Sequence, residues 1–179
     1  GNQIAYSLGN FVGRQAPIAA AAVLTDGASV ALEAGGEATD ALTLVRNTPF
    51  QQIMENLQGM DFSTAPNTAV FYSGSGTQAF AERFAANWSL NTISDTEGGA
   101  YLNSLGDLYA PSSGLSPVEA DQVWSYASQQ YASNASGNVI AIVSNPNPGR
   151  IYLSVERPIL TTPGSSVNLK EFNPFTWGP

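Results

Sequence analysis

Apolar residues recur with helical spacing in some stretches of the chain and run together in others. Ser116-Pro117-Val118-Glu119 places a serine at an N-cap, a proline in the first turn and a glutamate three residues on, which is a capping box. The face Ala120, Val123, Trp124, Ala127 and Tyr131 follows it, so the pattern predicts an amphipathic helix starting at Ser116. Phe80, Phe84 and Trp88 stand at i, i+4 and i+8 and predict a helix from Thr77 to Trp88 with that stripe facing the core. Thr48-Pro49 opens a shorter helix over 50–57, which Gly59 ends. Ala69 to Tyr72 form a short apolar segment before the small-residue loop Ser73-Gly74-Ser75-Gly76. Two runs, 138–143 and 151–155, read as strands joined by the turn-rich Asn145-Pro146-Asn147-Pro148-Gly149. Pro158 stops the second run, and the tail after Pro163 reads as irregular.

Residues 1–48 are rich in Gly, Ala and Thr and weakly periodic, with helices expected at 18–24 and 40–46 on either side of Ala34-Gly35-Gly36. The apolar run 16–24 is shorter than the roughly 18 residues a membrane span needs and reads as a buried Ala-rich helix in preference to a signal-peptide core. This divides the chain into an N-terminal helical or linker segment, 1–48, and a main domain, 49–179.

Composition narrows the chemistry. Of 179 residues, 43% are hydrophobic, enough for a core of ordinary size, and only 11% are charged. Fourteen acidic against six basic residues give a net charge of −8, with Lys170 the single lysine. Such a chain carries no electrostatic footprint for a nucleic-acid backbone. It has no cysteine and no histidine. Disulfides, a thiol nucleophile, a thiolate zinc site and Ser-His-Asp catalysis are thereby excluded. No acidic loop of the calcium-binding form is present, and no metal site is expected.

The candidate chemistry rests on a few residues, each with a plain structural alternative. Glu156 closes the run 151–155, where open α/β sheets place ligands, although an edge glutamate paired with Arg157 fits the same pattern. Trp124 is either core or a stacking platform. Ser73-Gly74-Ser75-Gly76, leading into a helix, is either a turn or a source of amides and hydroxyls for a phosphate. Asp95-Thr96-Glu97-Gly98-Gly99 is either a turn or an acidic ligand loop. A carboxylate, aromatic walls and small hydroxyls suit a reaction whose leaving group needs no proton. Cleavage of a pyridinium N-glycosidic bond is one: nicotinamide leaves neutral, and the oxocarbenium-like ribosyl centre needs a nearby negative charge.

Three blocks between about Asn67 and Leu160 then resemble the ADP-ribosyl cyclase/NAD glycohydrolase family. Ser116-Pro117-Val118 with Val123-Trp124 and Ser128 is similar to the family's helix bearing a stacking tryptophan and a phosphate-contacting serine. Ser154-Val155-Glu156 resembles its Ser-Val-Glu, whose glutamate is catalytic. Thr92-Ile93-Ser94-Asp95-Thr96 resembles its Thr-Leu-Glu-Asp-Thr. The resemblance implies that Glu156 holds the ribose hydroxyls and stabilises the oxocarbenium ion, and that Trp124 and Tyr72 are aromatic walls. It also implies that Ser73, Ser128 and the Tyr152 region contact the diphosphate. Ser94 replaces an acidic residue associated with the balance of hydrolysis and cyclisation, Gly74 stands where an arginine is common, and Tyr72 replaces a tryptophan.

The expected architecture is α+β in two lobes: a helical lobe to about 110 and a small sheet flanked by helices after it. A cleft between the lobes would gather Tyr72, Ser73, Asp95, Trp124, Ser128, Tyr152 and Glu156, with Ser94 a further substrate-binding candidate. The expected activity is that of a NAD glycohydrolase releasing nicotinamide and ADP-ribose, with NAD as substrate and no further cofactor. Cyclisation to cyclic ADP-ribose, transfer of ADP-ribose to a protein and a degenerate binding module are the alternatives. The expected setting is a bacterial toxin effector domain, excised from a larger secreted protein, acting in a target cytoplasm and neutralised at home by an immunity partner.

Overall fold

Three of the α-helices in the described chain begin at a capping hydroxyl that the local sequence supplies: Thr48, Thr96 and Ser116. The structure, a computed structural model, describes residues 48–176. Helices expected at 18–24 and 40–46 lie outside the described residues. Helix α1 (Pro49–Gln58) is opened by Thr48, whose hydroxyl accepts from the Gln51 amide while the Gln51 side chain accepts from the Thr48 amide. Strand β1 (Val70–Gly74) runs into α2 (Thr77–Trp88). A 3₁₀ turn, Ile93–Asp95, leads to α3 (Glu97–Ser104), and α4 (Pro117–Asn134) starts at the capping box expected from Ser116 and Glu119. Strand β2 (Gly137–Ser144) follows α4. A π-helical segment, Tyr152–Glu156, continues into α5 (Arg157–Leu160), and β3 (Val167–Phe172) comes last.

The three strands form one parallel sheet in the order β1-β2-β3, with Val70 opposite Ile140 and Gly137 opposite Val167. Its first strand precedes residue 110, in the stretch read as mainly helical. One face carries Phe71, Val139 and Ala141, packed with Val123, Ala127 and Tyr131 of α4 and with Tyr152 and Leu160. The other face carries Val70 and Ile142 under Ala81 and Ala85 of α2.

Three sequence expectations are corrected. Residues 151–155 are helical, not a strand. Tyr152, Glu156 and Leu160 are the buried positions, at i, i+4 and i+8, while Ser154 is exposed and its hydroxyl donates to the Arg150 carbonyl at 3.0 Å. A short apolar run carries both readings, and burial against α4 selects the helical one. The tail is not irregular, because 167–172 form the edge strand β3. On α2 only part of the aromatic stripe faces the core: small Thr77, Ala81 and Ala85 are fully buried, letting the helix sit close to the sheet, and half-buried Phe80 and Phe84 pack against the same cluster, but Trp88 does not. Phe80 and Phe84 lie on its flank against Phe172, and Trp88 is 68% exposed.

Candidate functional site

The carboxyl ends of β1 and β2 end side by side, with Gly74 opposite Ser144. Gly74 has φ +113°, and a Cβ there would overlap the Ser144 carbonyl, so only glycine lets the two strand ends close together. A cavity of about 580 Å³ opens at this edge. Tyr72 and Ser73 reach it from the end of β1, Trp124 and Ser128 from one face of α4 at i and i+4, and Tyr152 and Glu156 from the π-helical segment. Six of the eight expected site residues therefore line one cavity. π-helical turns recur at functional positions because the extra residue re-aims a side chain.

Tyr131 sets α4 against β1. Its hydroxyl donates to the Asn91 carbonyl at 2.7 Å and accepts from the Val70 amide at 3.1 Å. This anchor lies one turn beyond Ser128 and fixes where that serine points.

Glu156 is buried, and burial pushes its carboxyl from an ordinary 4.5 up to about 7, while a hydrogen bond from the Ser128 hydroxyl pulls the other way. No cationic side chain contributes to that balance. The neighbouring Arg157 does not pair with it, contrary to the simple edge-glutamate reading. Its Nε sits 3.0 Å from Glu171 on β3. Tyr72, half-buried, is held as a neutral phenol by burial and by the negative charges of Glu82 and Glu156, with donation from the Ser94 hydroxyl opposing.

Ser94 and Asp95 do not line the cavity. Ser94 sits behind Tyr72, which does line it. Asp95 is exposed, and its carboxylate accepts from the Thr92 amide at 2.7 Å and the Thr92 hydroxyl at 2.9 Å, closing a cap of the 3₁₀ turn. Tyr152 lines the cavity with its ring, while its hydroxyl donates to Glu171, so that hydroxyl is turned to β3. Sequence reasoning missed Arg150, Glu82 and Asp107, which also line the cavity. Arg150 follows a Pro-Gly turn that reads as a plain connector, and an isolated cation in so acidic a chain was the available signal. Among the described residues, no group of three or more acidic side chains converges as a metal site, and no helix is long and apolar enough to cross a membrane.

No family model matches the sequence, and no curated protein does. Solved structures do match. Aplysia cyclase, solved with substrate NGD and product cGDPR, is 26% identical over 66% of this chain and 53% of its own, with a TM-score of 0.50. The fold is similar to that of the ADP-ribosyl cyclases. An ADP-ribosyl cyclase solved with N1-cIDPR matches at 24% identity and a TM-score of 0.51, over 66% of this chain and 53% of its own. CD38 matches at 18% identity and a TM-score of 0.50, over 69% of this chain and 57% of its own. The chain thus spans little more than half the length of these structures.

Proposed function

We propose that the chain is a NAD glycohydrolase that breaks the nicotinamide–ribose bond of NAD and releases nicotinamide and ADP-ribose. One observation carries the reading: a buried glutamate with a hydroxyl donor but no cationic partner lies on a cavity walled by Trp124 and Tyr72. What that glutamate lacks is a positive charge, and the nicotinamide ribosyl group supplies one, first on the pyridinium and then on the ribosyl carbon. The C–N bond breaks with its electron pair going to the ring nitrogen, so nicotinamide departs neutral and needs no proton donor. Ionised Glu156 stabilises the oxocarbenium-like centre, with Ser128 holding the carboxylate. Water attacks that carbon, its proton goes to solvent, and ADP-ribose leaves. The aromatic walls stack on the flat rings, and Ser73 contacts the phosphates. The two-lobed cleft and the division at residue 48 belong to the same reading, as does the absence of any cofactor.

Similarity to cyclases and to CD38 supports the substrate class. Purified protein incubated with NAD and followed by chromatography tests it. The expected products are nicotinamide and ADP-ribose. Cyclic ADP-ribose in place of ADP-ribose would convert the proposal to a cyclase, and ADP-ribose attached to protein would make it a transferase. A folded protein that releases no nicotinamide would overturn it in favour of a binding module.

We further propose that this activity serves a delivered bacterial toxin, acting in a target cytoplasm and restrained in the producing cell by an immunity protein, because free NAD hydrolysis depletes any cell that contains it. Expression without the partner is expected to lower cellular NAD and arrest growth. Unimpaired growth with active protein present would refute that role.

A further inference from the structure

The NAD reading leaves open how so acidic a site holds a doubly charged diphosphate. Glu82, Asp107 and Glu156 line the cavity, within a chain of net charge −8. An anionic ligand enters against that field unless something on the wall offsets it. Among the described residues, Arg150 is the one cationic side chain lining the cavity.

We infer that Arg150 is the anion-binding residue of this site and clamps a diphosphate against the amino end of α2; the inference rests on the NAD reading above. The topology brings the parts together. Gly74 and Ser144 are register partners at the strand ends. From Gly74 the chain reaches the first turn of α2 through Ser75-Gly76, and from Ser144 it reaches Arg150 through the turn 145–149. Arg150 stays half-buried, and its backbone is fixed: its amide donates to the Asn147 carbonyl at 2.9 Å, and its carbonyl accepts from the Ser154 amide and hydroxyl at 3.0 Å each. The guanidinium has no protein partner among the described residues, whereas Arg157 is committed to Glu171. A placed backbone with an uncommitted planar fork of donors suits paired phosphate oxygens.

Two further observations point to an anion. The N-cap of α2 is Gly76, with no side chain to accept from the first-turn amides and no acidic residue in that turn. The hydroxyl of Thr77 is turned away to the Gly74 carbonyl at 2.8 Å. Those amides and the helix dipole face a site open to an anion. Independently, Ser73 is 6% exposed, lines the cavity, and its hydroxyl has no protein partner among the described residues. A guanidinium, a buried free hydroxyl and unfilled helix amides on one cavity form an anion pocket, and the same cavity carries Glu156.

Calorimetric titration of ADP-ribose into wild type, Arg150→Lys and Arg150→Gln, at low and high ionic strength, tests this. Wild type is expected to bind with an affinity that falls as salt rises. Arg150→Gln should bind at least about tenfold more weakly, with a flatter salt dependence, and Arg150→Lys should fall between. Melting temperatures should agree within a degree or two, which a structural role would not allow. No binding to wild type, an unchanged affinity in Arg150→Gln, or a loss with the salt dependence intact would overturn the clamp. Parallel turnover of NAD keeps the two proposals separable. Binding without turnover removes the glycohydrolase and leaves the clamp, and turnover with an unaltered KM in Arg150→Gln does the reverse.

Discussion

The Ser128 hydroxyl, held on α4, lies beside the carboxyl of Glu156, held on the π-helical segment, and favours its charged form against the push of burial. The pair joins two elements far apart in sequence and makes the acidity of one residue depend on the placement of the other.

The pH dependence of activity follows from this pair. Ionised Glu156 is the competent form, so kcat/KM for NAD is expected to rise with pH through a limb near 7 in the free protein. Ser128→Ala removes the contact that favours the carboxylate and should move that limb upward. A pH profile flat from 5 to about 9, or a limb unmoved by Ser128→Ala, would contradict the assignment.

Stability should move the opposite way to activity in Glu156→Gln. A folded-state carboxyl raised from 4.5 to about 7 contributes stability that is fully present below pH 4.5 and lost as pH rises through 7. Glutamine never ionises and escapes that loss. The variant is expected to be more stable than wild type above pH 8 by up to about 3 kcal/mol and no more stable near pH 4, while NAD cleavage falls about a hundred- to a thousandfold. Denaturant melts at the two pH values, with turnover on the same samples, check both halves.

Trp124 is half-buried, packing on the core with one side and lining the cavity with the other. Trp124→Ala should raise KM for NAD by about tenfold or more through lost stacking. Trp124→Phe, which keeps an aromatic face, should recover most of that. Equal losses in both variants would point to packing alone.

Tyr131→Phe removes a hydroxyl that donates to Asn91 and accepts from Val70, while the Val70 amide keeps its bond to the Asn91 carbonyl at 2.8 Å. A cost of about 1 kcal/mol in urea melts is expected, with a fall in kcat because α4 is no longer held to β1.

What could be read from the sequence was what depends on neighbours in sequence. Thr48, Ser116 and Glu119 announce helix starts because capping is local chemistry, and those helices stand where they were expected. Residues 151–155 were misread because β-branching and hydrophobicity do not distinguish a strand from a helix buried on α4. Only the spacing of Tyr152, Glu156 and Leu160 held the answer. Strand β3 was missed because Lys170-Glu171 interrupts its alternation, and it is half-buried at an edge, where pairing with β2 decides its conformation. In the site, Glu156, Trp124 and Ser128 stood out by motif. The separation of Asp95 from the cavity, and the arrival of Arg150 in it, depend on which turns fold over which strand ends.

Every strand of this sheet is parallel to its neighbour, so no hairpin can form early and locally. Val70 must find Ile140 across an intervening stretch that holds three helices, and the chain closes a long loop before any pairing compensates for the lost entropy. Folding should therefore be slow for a chain of this size. The cavity draws on both ends of that loop, so no fragment or nascent portion holds a working subset of it. Activity recovered during refolding should lag helix formation and coincide with the docking of β2 on β1.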